Sequence, residues 1–163
     1  MVEEQSLVTA LKSQDLREKA FRELITTYKE RLYWHIRKIV LNHDDADDVL
    51  QNTFIKVFRN IDKFQGESKL YTWMYRIATN ESITFINKKA KKLQVTSEEV
   101  QQAALSNLKE DVYFEGSEIQ LKLQRAIASL PQKQQLVFNM KYFDDITYEE
   151  LSTILDTSVG GLK

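Results

Sequence analysis

A chain of 163 residues can bury one good core, or two small ones joined by a linker. Its single proline and four glycines are too few for an all-β fold rich in tight turns, and they favour helices. The absence of cysteine excludes a disulfide scaffold and thiolate metal sites, and it fits a reducing cytoplasm. The net charge of −1 conceals a segregation: residues 69–92 carry six cations against one carboxylate, and residues 97–118 carry one cation against six carboxylates. No apolar run approaches the ~20 residues that span a bilayer. The first sixteen residues mix Glu3, Glu4, Lys12 and Asp15 with their apolar neighbours, unlike a signal peptide. A soluble, cytoplasmic protein without membrane insertion is expected.

In chain order, Leu16, Ala20, Leu24, Tyr28, Leu32, Ile36 and Ile39 step by three or four and mark one long helix face. Asp15 with Glu18 forms a candidate capping box at its start. His43, Asp44 and Asp45 interrupt the pattern, and a second helix follows with Ala46, Leu50, Phe54, Val57, Phe58 and Ile61 as its buried stripe. Asp44, Asp45, Asp47 and Asp48 crowd its first turn, where the macrodipole favours negative charge, and at least one of them is expected to cap it. Gly66 punctuates the next turn, and Ser68 is the expected N-cap of a third helix running to about Phe85 or beyond. Residues 88–117 read as a linker with a short helix near residues 100–108. Periodicity returns with Ile119, Leu123, Ile127 and Leu130. Pro131 then opens another helix carrying Leu136, Val137, Met140 and Phe143.

The sharpest local signal lies near the end. Thr147 and Glu150 complete a capping box, with Ile146 and Leu151 as its hydrophobic staple. A helix of about two and a half turns leads to a turn at Asp156 and Thr157, and Ser158 caps the helix that follows. Short helix, tight turn and capped second helix are the layout of a DNA-reading helix-turn-helix, although other three-helix bundles share it.

A second signal runs from Ser68 to Asn80. Helical spacing puts Leu70, Met74, Ile77 and Phe85 on the core side, Trp73, Arg76 and Asn80 on one flank, and Tyr71 and Tyr75 on the other. A ring to stack on, a guanidinium and a carboxamide suit an unpaired base, and Lys88, Lys89, Lys91 and Lys92 stand ready for the phosphates. The competing reading is a core-rim aromatic helix with a solvated lysine end. In the second helix Asp47, Asp48, Gln51, Lys56 and Arg59 lie off the apolar stripe beside Ile55, a combination that suits a protein contact with a polar rim. A divalent-ion site has no matching ligands elsewhere, and His35 and His43 lack zinc-site spacing. No nucleophile–base pair or phosphate loop is present, so neither enzyme activity nor a cofactor is expected.

In this order the three segments resemble the sigma-70 superfamily of RNA polymerase sigma factors, and within it the compact extracytoplasmic-function (ECF) group. Residues 45–58 look like region 2.2, which implies docking on the clamp helices of the polymerase β′ subunit through Asp47, Asp48, Gln51 and Lys56. Residues 71–80 look like region 2.3, and residues 81–92 correspond to region 2.4. That implies capture of the −10 promoter element by Tyr71, Trp73, Arg76, Asn80, Lys88 and Lys89. Residues 130–163 look like region 4, which implies −35 contacts at Ser158, Gly160, Gly161 and Lys163.

The resemblance therefore implies an all-α chain of two small bundles: residues 1–95 as region 2, an acidic linker over 96–118, and 119–163 as region 4 with a shortened recognition helix. Core polymerase and promoter DNA are the implied partners, and an anti-sigma factor is a common third one in the family. Asp156 stands where many relatives carry glycine; aspartate can adopt the left-handed turn conformation, though less easily. Two other readings remain: a helical regulator that binds duplex DNA without polymerase, and an interaction module that uses the aromatics as core.

Overall fold

The computed structural model describes residues 2–106 and 118–162, so Lys163 and residues 107–117 of the expected acidic linker lie outside the described residues. The described residues form helices with no strand among them: α1 (Val2–Lys12), α2 (Arg17–Val40), α3 (His43–Asn60), the 3-10 turn η1 (Ile61–Lys63), α4 (Leu70–Leu93), α5 (Ser97–Ser106), α6 (Glu118–Ala128), α7 (Gln132–Tyr142), α8 (Tyr148–Leu155) and α9 (Val159–Leu162). The all-α expectation holds.

The first bundle packs α2, α3 and α4 against one another, because each presents an apolar stripe at helical spacing. Leu24, Leu32 and Ile36 from α2 meet Ala46, Val49, Leu50 and Val57 from α3 and Leu70, Met74, Ala78 and Ile86 from α4. Three stripe assignments change, the first being Leu16, which is 53% exposed. Phe58 is 41% exposed, at the rim of a groove, and Tyr75, expected on a flank, is fully buried. The Tyr75 ring tilts against His35 with centroids 4.5 Å apart, so a neighbouring helix absorbs what the helical wheel placed at the surface.

Several helix ends differ from their sequence signals. α2 starts at Leu16 as N-cap with no side-chain bond, in place of the Asp15 and Glu18 box. The cap of α3 is Asn42, whose side chain accepts from the Asp45 amide at 3.0 Å, leaving the aspartates uncommitted to capping. Ser68 does not cap α4. Instead Glu4, brought in by α1, accepts a hydrogen bond from the Leu70 amide at 2.9 Å and satisfies a donor orphaned at the helix start. α4 also runs past Phe85 to Leu93 before Gln94 closes it in the left-handed conformation. The lysines at 88–92 are therefore helical, and no linker begins at residue 88.

α5 is not a free segment. It packs on α4, burying Val100 and Leu105, and the Gln101 side-chain amide donates to the Ile39 carbonyl at 3.2 Å near the end of α2.

In the second bundle Ile127, Leu136 and Met140 are buried as their spacing predicts, whereas Ile119, Leu123 and Phe143, expected on the same faces, are exposed. Pro131 is the N-cap of α7, one position ahead of the expected place. Thr147 caps α8 by accepting from the Glu150 amide at 3.1 Å, and the staple residues Ile146 and Leu151 are fully buried. The Thr147 hydroxyl donates to Glu150, so Glu150 does not reach back to the cap amide as a full box would. Asp156 takes the left-handed conformation at φ 52°, and Ser158 accepts from the Gly161 amide at 3.3 Å. The two bundles do not stand apart. α8 lies on α4, α7 touches α2, and one cluster of buried residues runs from Leu24 and Met74 through Leu136 and Met140 to Ile154.

Candidate functional site

Two faces of the first bundle carry the residues singled out in the sequence. The first is a groove between α2 and α3 lined by Phe21, Ile25, Leu50, Phe54, Ile55 and Phe58, with Lys29, Asp47, Gln51 and Arg59 on its polar rim. Ile55 is 48% exposed, as expected for an apolar residue off the core stripe. Phe21 braces the groove floor, meeting Phe58 edge-on at 5.0 Å and Phe54 at 6.2 Å. The structure thus sets Asp47 and Gln51 beside a bare apolar surface, with Asp48 exposed on the same helix but off the groove. Lys56 is exposed and pairs with Glu81 of α4, which ties the two helices together.

The second face belongs to α4, and its candidate residues meet different fates. Arg76 and Asn80 are exposed and line a cleft whose other wall is Gln132, Lys133 and Leu136 of α7 with Ile154, Leu155 and Asp156 at the end of α8. Tyr71 is half-buried and donates its hydroxyl proton to Glu150 of α8. Burial, the bond to Glu150 and the carboxylate charge push the Tyr71 phenol up to about 12. The Arg31 guanidinium sits over the same ring, 4.5 Å from its centroid. Trp73 is half-buried, and its ring lies 5.2 Å from that of Phe64, which occupies part of the surface a base could use. Lys88 is exposed, while Lys89 pairs with Asp45 at 2.9 Å across α3 and α4.

In the second bundle Ser158, Gly160 and Gly161 are exposed at the start of α9. A Cβ at Gly160 would meet nothing within 4 Å, so the surface there is open. The fourth expected −35 residue, Lys163, lies outside the described residues. Among those described, no group of three His, Asp or Glu side chains could hold a metal ion, and no helix is long and apolar enough to cross a membrane.

Sequence reasoning missed the cluster that joins the bundles. Asp144, in the turn between α7 and α8, has a side chain only 8% exposed, and Lys38 of α2 bonds it at 2.8 Å. His35 borders it from below, fully buried, with Nδ1 3.5 Å from the Asp144 Oδ2. The tautomer follows from the neighbours. Thr79 spends its proton on the Tyr75 carbonyl at 2.7 Å, so it accepts from His35 Nε2–H at 2.8 Å. The neutral ring then turns a lone pair toward the carboxylate, and 3.5 Å is too long for a formed hydrogen bond. Burial lowers the His35 pKa, against the pull of Asp144. Burial also pushes the Asp144 carboxyl up, but His35 when its ring is protonated and the charge and hydrogen bond of Lys38 outweigh it and hold the group below the usual carboxylate range. The available signals were a histidine and a lysine three apart on α2 and an acidic pair breaking an apolar run.

Two family models match separate stretches of the chain. The Sigma-70 region 2 family model matches residues 24–92, and the Sigma-70, region 4 model matches residues 120–163. The chain is 32% identical over 152 residues to the ECF RNA polymerase sigma factor SigW of Bacillus subtilis, spanning 88% of this chain and 81% of that protein. It is 27% identical to the ECF RNA polymerase sigma-E factor of Haemophilus influenzae, over 98% of this chain and 87% of the relative. Among solved structures, the sigma factor RpoE in complex with the anti-sigma factor NepR from Bartonella quintana superposes with a TM-score of 0.67 at 18% identity, covering 88% of each chain. CnrH, in complex with the cytosolic domain of CnrY, superposes with a TM-score of 0.66 at 17% identity, covering 98% of this chain and 86% of the other. At those identities the structures speak for the fold.

Proposed function

This chain belongs to the ECF group of the sigma-70 family, RNA polymerase sigma factors that direct transcription initiation, and from that premise we propose how its own residues divide the work. The groove between α2 and α3 together with the adjoining exposed face of α3 is the polymerase-docking surface, the groove contributing Asp47 and Gln51 and the adjoining face Asp48 and Lys56. The observation that carries this assignment is the juxtaposition of exposed Ile55 and Phe58 with exposed carboxylates on α3, an apolar centre with a charged rim. The partner is the β′ clamp-helix surface of core polymerase, as the family resemblance implies.

The α4 face is the strand-capturing surface. In this reading Trp73 and Tyr71 supply rings for an unstacked base, Asn80 offers a donor and an acceptor to its edge, and Arg76 holds the adjoining phosphate. Unpairing and unstacking cost a few kcal/mol, which capture of the exposed base offsets. Lys88 and Lys89 hold the backbone, each such contact steepening the salt dependence by a log–log slope of about 0.9. Ser158, Gly160, Gly161 and Lys163 begin the element that meets the −35 duplex. Residues 1–95 and 119–163 are the two functional units, the segment between them is the acidic connection, and the protein acts in the cytoplasm without catalysis of its own. An anti-sigma factor is a third partner in this reading, supported by the solved relative that carries one.

The test is retention of core polymerase, from the bacterium encoding this chain, on the immobilised protein. The wild type should retain it, and Asp48→Lys should lose retention while keeping its helical circular dichroism. Normal retention by the folded variant moves the docking face elsewhere.

A further inference from the structure

α1 stands outside the stretch that the region 2 family model covers, which begins at residue 24, yet it reaches the helix that carries the strand-facing residues. Its contacts fall at the two ends of one irregular segment. Between η1 and α4, residues 64–69 run without helix or strand, and Gln65, Gly66 and Glu67 are exposed. At one end Lys12 donates to the Phe64 carbonyl at 2.6 Å, and at the other the Glu4 carboxylate accepts from the Leu70 amide at 2.9 Å. The two side chains stand about two turns apart on one helix. Leu11 beside Lys12 is fully buried, so α1 is anchored where it makes the first of these bonds. Arg17 closes the arrangement, donating to the Leu11 carbonyl at 2.8 Å and pairing with Asp62 of η1 at 3.0 Å. The segment so held carries the buried Phe64, whose ring lies 5.2 Å from that of half-buried Trp73.

We propose that α1 is a positioning element for the α4 face: Glu4 and Lys12 grip the ends of the 64–69 segment, seat Phe64 against Trp73, and fix the ring that is offered to an unpaired base. Neither residue is assigned a contact with DNA; both act through Phe64 and Trp73. A ring held by a neighbour meets a base already in place. A loose ring must be ordered at binding, and that loss is subtracted from the stacking gain. The two bonds close on main-chain groups: the Leu70 amide is a donor left unpaired at a helix start, and the Phe64 carbonyl follows the end of η1. Gly66, at φ 75°, turns the backbone between the grips, in a conformation that strains a residue with a Cβ. The stacking part rests on the assignment of Trp73 to strand capture; the grip itself does not.

The chain has two tryptophans, so Trp34→Phe leaves Trp73 as the sole reporter. In that background Glu4→Ala removes the acceptor, Lys12→Met removes the donor and keeps the stem, and Glu4→Gln keeps an acceptor oxygen. Glu4→Ala and Lys12→Met should each shift Trp73 emission to longer wavelength and raise its quenching by acrylamide, most in the double variant. Glu4→Gln should stay near the parent. Binding of a short fluorescent random-sequence single strand is then measured, with Trp34 retained, on holoenzyme made with core polymerase from the bacterium encoding this chain, and core alone is the blank. Loosening the grip should weaken binding about fivefold. In Trp73→Ala the same grip variants should weaken it no further, because the ring they position has gone. Lys12 is exposed, so Lys12→Met carries the test if Glu4→Ala fails to fold.

Unchanged emission and quenching of Trp73 in the folded grip variants overturns the proposal. So does an equal loss of binding from Glu4→Ala or Lys12→Met in Trp73→Ala, since a helix that acts only through stability weakens binding whether or not the ring is present. If Trp73→Ala binds as the parent does while the grip variants still move Trp73 emission, the grip stands and the strand-capture reading of Trp73 falls.

Discussion

The α2–α3 groove and the α4 face are built from the same kinds of side chain, yet one is bare and the other is covered. Both carry aromatic and charged residues on a helix flank. On α3, Ile55 and Phe58 stay about half in solvent, with Phe21 and Arg17 of α2 reaching only the Phe58 ring from one side. On α4, Tyr71 and Tyr75 are withdrawn: the first into a bond with α8, the second into the core beside His35. What separates the two faces is the company they keep, and that is set by contacts from residues far along the chain. Residue type marks a surface suited to binding; it does not say whether that surface is available.

The sharpest way to break this comparison is to remove one ring from each face. Tyr75→Ala empties a fully buried site and should cost about 3–5 kcal/mol of stability. Phe58→Ala removes a ring that is 41% exposed and leans on Phe21, and should cost about 1 kcal/mol. Urea midpoints at constant slope measure both. Equal costs would show the groove to be packed core, with no bare surface to offer a partner.

Acidification probes the covered side through His35. The groups facing it are Asp144 at the turn, Lys38 and Arg31 on its own helix, and Thr79 and Tyr75 from α4. Its folded pKa lies below the ordinary value of 6.5, so the folded chain binds fewer protons than the unfolded one. That contribution is complete above pH 6.5 and is lost as the pH falls below it, with a slope of up to about 1.4 kcal/mol per pH unit. Asp144, held below its usual 3.8, adds a loss of the same sign at lower pH. His35→Gln should flatten the stability profile as the pH falls below about 6.5. A wild type that gains stability on acidification would mean that Nδ1 takes up a proton and bonds Asp144, and the burial argument would lose.

Local features were legible in the sequence and distant ones were not. The Thr147 cap was readable because the donor it serves, the Glu150 amide, is three residues away and both ends of the signal sit in one turn. The α8 staple, the Asp156 turn and the exposed Ile55 were readable on the same footing. Glu4 capping α4 was hidden because the partners are 66 residues apart, and Lys38 with Asp144 because they are 106 apart. Ser68 was a sound local choice that lost to a carboxylate delivered by tertiary packing. A linker was read from residue 88, inside α4, because the last turns of the helix carry lysines, which blur the apolar period without weakening the helix. Among the candidate site residues, Arg76 and Asn80 were found together, whereas Trp73 was found against Phe64, a contact made from the loop after η1 that no spacing on α4 could announce.

The smallest effects test whether the covered and bare regions unfold as one body. Asn42 caps α3 beside the open groove, and Thr147 caps α8 on the covered side, with bonds of 3.0 and 3.1 Å to the amides they serve. Replacing either by alanine should cost about 1 kcal/mol, because one orphaned amide loses its acceptor in each case. Thr147→Ser, which keeps the hydroxyl, should cost much less. The buried cluster is continuous from α2 through α4 into α7 and α8, so both alanine variants should move a single cooperative transition by similar amounts. Probes in the two bundles, tryptophan fluorescence for Trp34 and Trp73 and a label at position 153, should report the same midpoint. An earlier, separate transition at position 153 in Thr147→Ala alone would show that α8 melts from α4 before the first bundle unfolds. The contact between the bundles would then be weaker than the second bundle's own fold, and opening would be a local event that leaves the polymerase-facing groove intact.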